Sequence, residues 1–437
     1  MSVPTLQGLQ TALSGLLAEQ QALDVTGNNI ANSATEGYSR ETAVLETKQP
    51  IVIPAISPLT GRGAQLGTGV SVETIARVRN SYLDAQYRTQ SSALSGASTQ
   101  SEELTQAQAA FNEPSSSAIA SQMSAFWSAW SELANAPASA GAKQGVVAAG
   151  TQLATMFHEV SAQLSTISTQ AGEQYAALTG PSGEVQDYAS QIAELNGQIK
   201  LAEEAGQQPG AMLDRRDLLL DKLSSLAQVS VSEQPDGSDT VSFGDAAKPL
   251  VEGTTVNWPQ TLGEGAGGKL GALLTLTGPG GALASYQAEL DNVAGTLASS
   301  VNALHTSTPF FSGTTAATLA VAVTAAQVQT SSTKAAGGND VAQAIAALRG
   351  GAAEQGYAAL VEQVGSRLRA AEDDQNNLHT TVTAIDNQRQ SVSGVSLDEE
   401  MTNLITFQRG YQASARTLTA MDSMLETLIE HTGVAGL

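Results

Sequence analysis

The chain has 437 residues, 41% of them apolar but only 4% aromatic, and a formal net charge of −22 from 20 basic and 42 acidic side chains. Such acidity repels phosphate backbones and disfavours nucleic acid as a partner, and there is no continuous apolar run of about 18 residues to insert in a membrane. The absence of Cys removes disulfides, thiolate metal sites and Cys nucleophiles together, and alanine-rich apolar content with few aromatics favours closely packed helices.

The first segment sets Leu6, Leu9, Leu13, Leu16, Leu23 and Ile30 on alternating three- and four-residue steps, with Gln20 and Gly27 in the gaps. This spacing predicts one helix of about 25 residues with a single apolar stripe. Its other face carries Glu19 and Asp24 as its only charges, which suits contact with protein better than with water. The first basic residue is Arg40. The basic n-region of a cleaved secretory signal is therefore missing, and an exported chain is expected to use another route. Asn28, Asn29, Asn32, Gly37 and Tyr38 then form a turn-prone run, because Asn and Gly tolerate left-handed backbone and Asn amides satisfy local backbone groups. Tyr38 reads either as the anchor of that turn or as an ordinary core aromatic.

Residues 72–112, 117–135, 213–227, 281–305 and 353–390 read as helix. So do the stripe Val185, Tyr188, Ile192, Leu195, Ile199 and a run begun by Val160, Leu164 and Ile167. Over 228–262 the period changes to two, around the turn Pro235-Asp236-Gly237, which predicts a small β insertion. Residues 306–338, rich in Thr, Ala, Ser and Gly, read as linker-like.

The last segment mirrors the first. Ser396 and Glu399 have capping-box spacing, and Asp398, Glu399 and Glu400 load the first turn with charge that favours the helix dipole. Leu397, Leu404, Phe407, Tyr411, Leu418, Met421, Leu425 and Leu428 keep a heptad that Glu400 and Ser414 interrupt. Two singly striped helices at opposite chain ends bury their stripes most simply against each other; packing of each on an ordinary helical core is the alternative.

Catalytic patterns are incomplete. Gly263 to Lys269 has P-loop spacing, but Leu270 stands where a Ser or Thr must hold magnesium. His158-Glu159 opens a zinc motif whose second His is replaced by Ala162. Gly61-Arg62-Gly63 is a glycine-rich turn whose third Gly is one residue late for a dinucleotide fingerprint. The four His are scattered, and Asp373-Asp374 lies on a solvated helix face. The expectation is no enzyme, no cofactor and no metal.

Asn28-Asn29-Ile30-Ala31-Asn32 followed by Thr35 and Gly37-Tyr38-Ser39-Arg40 resembles the N-terminal signature of the flagellar axial proteins, the rod, hook and hook-associated group. At the other end, Leu397-Asp398-Glu399-Glu400, Phe407-Gln408 and Tyr411-Gln412 are similar to the hook-associated, junction-forming branch. Leu213-Asp214-Arg215-Arg216-Asp217, Lys269 to Leu274 and Phe310-Phe311-Ser312-Gly313 agree with it. Larger members carry a further β domain after the Phe-Phe-Ser segment, which this chain lacks.

The resemblance implies a mainly α, elongated, multi-domain chain. Residues 1–32 and 397–437 would pair as a terminal coiled coil, 33–227 and 268–396 form a helix-rich core (306–338 linker-like), and 228–267 a small β insertion domain. It implies a secreted structural component of the bacterial flagellum, an adaptor at the hook–filament junction that leaves by type III export. The expected partners are copies of itself in a ring-like oligomer, the hook protein, a second junction protein beside the filament, and an export chaperone on Leu418, Met421, Leu425 and Leu428. A hook or distal-rod protein, or a secreted coiled-coil surface protein, is the alternative.

Overall fold

The leucine-spaced start of the chain is a 27-residue helix, α1 (Thr5–Ala31), in the computed structural model, which describes residues 5–53, 64–333 and 337–432. Past the Asn-rich turn comes an element that the sequence reading lacked. Strand β1 (Glu41–Thr47) pairs antiparallel with β4 (Val70–Arg77), and β2 (Ile51–Ile53) with β3 (Ala64–Leu66), making a long ribbon. The helix expected over 72–112 therefore begins only at Ser81. The run Val70-Ser71-Val72-Glu73-Thr74, which overlaps the start of that expected helix, is β-branched at alternate positions and belongs to β4. Gly61-Arg62-Gly63 lies outside the described residues.

The rest is mainly helical and elongated. Helices α2 (Ser81–Phe111), α3 (Ile119–Asn135), α4 (Ala140–Thr179), α5 (Glu184–Glu204) and α6 (Gly210–Leu226) lead into a four-stranded antiparallel meander of β5 (Val229–Glu233), β6 (Asp239–Phe243), β7 (Val251–Glu252) and β8 (Thr255–Val256). Helices α7 (Gly268–Thr277), α8 (Ala282–Leu304), α9 (Asp340–Ala346), α10 (Ala352–Ser393) and α11 (Leu397–Thr432) complete the chain, with the short pair β9 (Phe311–Ser312) and β10 (Ala320–Val321) between α8 and α9. At 40 and 42 residues, α4 and α10 are each about 60 Å long.

Two apolar cores lie side by side. One joins α2, α3, α4, α8, α9 and α10. The few aromatics are concentrated there: Phe126, Trp130, Phe310 and Phe311 meet with ring centroids 4.8 to 6.2 Å apart. The 306–338 segment is thus no free linker. Phe310, Phe311, Ala316, Leu319, Val323 and Val328 are buried in this core, and Gly150 of α4 lets Phe310 approach, since a Cβ there would sit 3.0 Å from its ring. Its Thr- and Ala-rich composition hid a segment folded by aromatic anchors.

The second core holds the meander. Val229, Val241, Phe243, Leu250 and Val251 pack on Val185, Ile192, Ile199, Leu220 and Leu223 of α5 and α6. Short strands cannot hide an apolar face alone, so the β insertion shares its core with these helices rather than standing apart. Within it Arg216 pairs with Asp239 at 2.9 Å and donates to Asn196 Oδ1, a fully buried link between sheet and helices.

Candidate assembly site at the terminal helices

Helices α1 and α11 lie antiparallel in one unbroken register: Asn29 meets Glu400, Glu19 meets Gly410, Gly15 meets Ser414 and Gly8 meets Met421. The glycines permit the approach. A Cβ on Gly8 would sit 2.7 Å from Met421 Cε, and one on Gly15 3.1 Å from Ser414 Oγ. On α11 the covered face is Glu400, Leu404, Phe407, Tyr411, Ser414, Leu418, Met421 and Leu425. Glu400 and Ser414, which read as interruptions of the heptad, therefore sit in the seam.

On α1 the covered residues differ from the leucine stripe. Ala12, Ser14, Ala18, Ala22, Val25, Thr26 and Asn29 are buried, Leu9, Leu16, Leu23 and Ile30 are half-buried, and Leu13 is 43% exposed. The reason is a second neighbour. The ribbon crosses α1 where Ser14 Oγ accepts from Val70 N at 3.3 Å, and Gly69, at φ +98°, leaves room that only a small residue allows. The side chain of Leu6 lies outside the described residues, and Leu428 is 52% exposed.

The Asn-rich turn closes this seam. Asn29 is 1% exposed and spends its whole amide: Nδ2 donates to Glu41 O at 2.8 Å and Glu400 Oε2 at 3.2 Å. Its Oδ1 accepts from Tyr38 Oη at 2.8 Å and Glu41 N at 2.9 Å. Asn32 Nδ2 donates to Asn28 Oδ1 at 2.8 Å, holding the last turn of α1, and Gly37 takes φ +79°. Burial, with Glu41, Asp214 and Glu400 nearby, pushes the Tyr38 phenol far above its ordinary value, so it stays a donor. Burial and Asp214 likewise raise the Glu41 carboxyl, against Asn28 and Arg77. Glu399, given the capping-box spacing, places Oε2 2.6 Å from Arg40 Nη1.

The near-motifs have structural occupants. The glycine run over 263–268 makes a 3-10 turn into α7, and Gly263 N donates to the Asp245 carboxylate, which sits where a phosphate would be needed. Gly268, at φ +59°, presses on Leu226 and Ala227 backbone. His158 Nε2 is 2.7 Å from Leu319 O. Among the described residues no group of three or more His, Asp or Glu could hold a metal ion, and no helix is long and apolar enough to cross a membrane.

Sequence reasoning missed the ribbon and an arginine–aspartate cluster beneath it. The signal for the second was present: Asp214, Asp217 and Asp221 stand on one face of α6 at steps of three and four.

Comparison with known proteins follows these features. Residues 104–264, from the end of α2 through the meander, match the family described as flagellar hook-associated protein FlgK helical domain. Residues 9–38 match the flagella basal body rod protein family, and 386–430 the C-terminal family of flagellar basal body rod FlgEFG proteins. Flagellar hook-associated protein 1 of Bacillus subtilis is 29% identical over 508 aligned positions, covering 99% of each chain. Its Salmonella typhimurium counterpart is 30% identical, over 56% of this chain and 42% of the relative. The match to the Escherichia coli counterpart is 27% identical, over 56% and 43%. A solved structure, the flagellar hook junction protein FlgK from Burkholderia pseudomallei, aligns at 27% identity with a TM-score of 0.45, over 51% of this chain and 43% of that one. With both seam helices and the intervening helical region matched, and one relative aligned from end to end, the chain is similar along its whole length to flagellar hook-associated protein 1 and is a structural component of the bacterial flagellum.

Proposed function

We propose that the chain assembles with copies of itself into a short ring-like stack between hook and flagellin filament, joining two tubes by complementary packing. The hook protein would lie on one side and a second junction protein on the other. The observation that carries this reading is the seam. Helices from opposite chain ends pair in one register, while Leu13, Leu17, Met401 and Ile405 on the outer faces of the pair remain 43 to 52% exposed. Faces of that kind suit burial between neighbouring helix pairs, where clustered like charge would oppose stacking. In this reading residues 1–32 and 397–437 form the tube-facing part, with the helical core and the meander outside it.

An export chaperone fits the C-terminal helix under one condition. Leu418, Met421 and Leu425 lie on the face that α1 covers. A chaperone that holds them takes the place of α1, so chaperone binding and seam closure exclude each other.

Deleting the gene and examining the cells by electron microscopy, with flagellin assayed in the medium, tests the junction role. Complete hooks without filaments and flagellin lost to the medium are expected. Missing hooks would place the protein in the rod or hook, and normal filaments would reduce it to a secreted coiled-coil surface protein.

A further inference from the structure

Between the terminal helices and the rest of the molecule the apolar cores stop. Neither core contains a described residue of α1, the ribbon or α11. Beside neutral contacts of Gln208 with Ile75 and Thr74, of Arg40 N with Ser393 O, and of Leu218 with Gly37, an ionic cluster spans the gap. Asp217 on α6 sits at the centre, with Oδ2 2.6 Å from Arg77 Nη2 and 3.0 Å from Arg79 Nη1, and Oδ1 3.0 Å from Arg88 Nη2. Around it Arg77 reaches Asp214 at 2.8 Å, Arg79 reaches Asp84 at 2.8 Å, and Arg88 reaches Asp221 at 2.7 Å. Arg389, near the end of α10, pairs with Asp84 at 2.9 Å and Asp221 at 2.8 Å while stacking on Tyr87 at 4.2 Å. All eight side chains are 8 to 21% exposed, and the four arginines balance the four aspartates.

The placement is specific. Both chain crossings between the two parts meet here: the end of β4 running into α2, and the end of α10 running into α11. Asp214 also accepts from Ser39 N at 3.1 Å, which carries the network to Tyr38, Asn29 and Glu400 in the seam. An apolar contact is non-directional and tolerates sliding, whereas ion pairs with forked guanidinium geometry hold one relative orientation. Charges this buried are also little screened by salt. We infer that the Asp217-centred cluster is an ionic elbow: it sets the angle at which the ribbon and the terminal helix pair leave the helical core. Asp217 is its positioning residue, and a subunit with the elbow broken keeps its core but loses a fixed angle. This stands apart from the junction reading and is measured on the isolated chain.

Because the chain has no Cys, paired labels report the angle directly. The full chain with Glu46→Cys on the ribbon and Glu173→Cys on α4, both exposed positions, carries two spin labels for pulsed distance measurement. One narrow distribution is expected. Asp217→Ala and, separately, Arg389→Met should broaden or split it while helical content and the thermal transition of the Trp-rich core stay in place. Lys200→Ala, which removes an exposed ion pair to Asp236 far along α5, should leave it narrow. A broad distribution in the parent chain overturns the inference, as does an unchanged one in both elbow variants. Loss of the core transition in both also overturns it, since the cluster would then hold the core together instead of setting an angle.

Discussion

Asn29→Asp is the sharpest perturbation of the seam because it changes hydrogen-bonding character with almost no change in shape. Two acceptor contacts survive, those from Tyr38 Oη and Glu41 N. Two donations disappear, to Glu41 O and to Glu400 Oε2. A neutral hydrogen bond contributes about 1 kcal/mol net and one to a charged group about 1.5–3 kcal/mol. The new carboxylate also faces Glu400, which is 2% exposed. Like charges roughly 3 Å apart repel by about 5 kcal/mol at an effective dielectric constant of about 20, an upper bound because the pair can take up a proton. The expected loss is about 3–5 kcal/mol at neutral pH, confined to the seam. Hydrogen exchange over residues 400–425 reads the loss, and the Trp signal of the core should melt as before. The decisive variant is N29D combined with E400Q, which reverses the donor and acceptor across the same contact. It should recover about 2 kcal/mol or more. If the double variant exchanges as fast as N29D alone, the contact does not hold the seam.

Three further outcomes follow from other parts of the molecule. Phe310→Ala should cost about 3–5 kcal/mol of core stability by denaturant unfolding, because it opens a cavity among Phe126, Trp130 and Phe311. His305 is 1% exposed and accepts from Gln329 N at Nε2, so its Nδ1 proton goes to Thr308 O. Burial holds its pKa below the ordinary 6.5, against the hydrogen bond to Thr308. The neutral ring therefore contributes fully above pH 6.5, and the contribution is lost as pH falls through that value toward the folded one. The melting temperature should drop between pH 7.5 and 5.5, and less so in His305→Leu. Met401→Glu with Ile405→Glu should leave the monomer's helical content unchanged yet abolish filament attachment in motile cells, as scored by microscopy.

Where one physical effect acts alone, the fold was legible. The heptad of α11, the unbroken stripe of α5 and the period-two run of the meander each report a single buried face. Legibility failed where two neighbours cover one element. The leucines of α1 mark only part of its contact, because the ribbon demands small residues at Ser14 and Ala18 that carry no apolar signal. It failed again at 306–338, where two phenylalanines outweigh a polar, turn-rich composition. The family turn was visible at Asn29 and Tyr38, but Asn29's partner Glu400 lies 371 residues away in sequence, and no local pattern joins them.

The two residues that spoil the C-terminal heptad also explain how a repetitive helix keeps one partner face. A seam of Leu, Phe and Met alone tolerates rotation and slippage, since one apolar contact replaces another at small cost. Glu400 inserts a buried carboxylate that accepts from the Asn29 amide, and Ser414 lies where Gly15, lacking a Cβ, leaves room for it. Any other pairing would strand the carboxylate or open a void. The elbow repeats the logic one layer out, where Asp217 satisfies three guanidiniums from two segments. Positions that look like defects in an apolar pattern thus specify the geometry. A structural component of the flagellum, which works by packing, needs that specification more than it needs added stability.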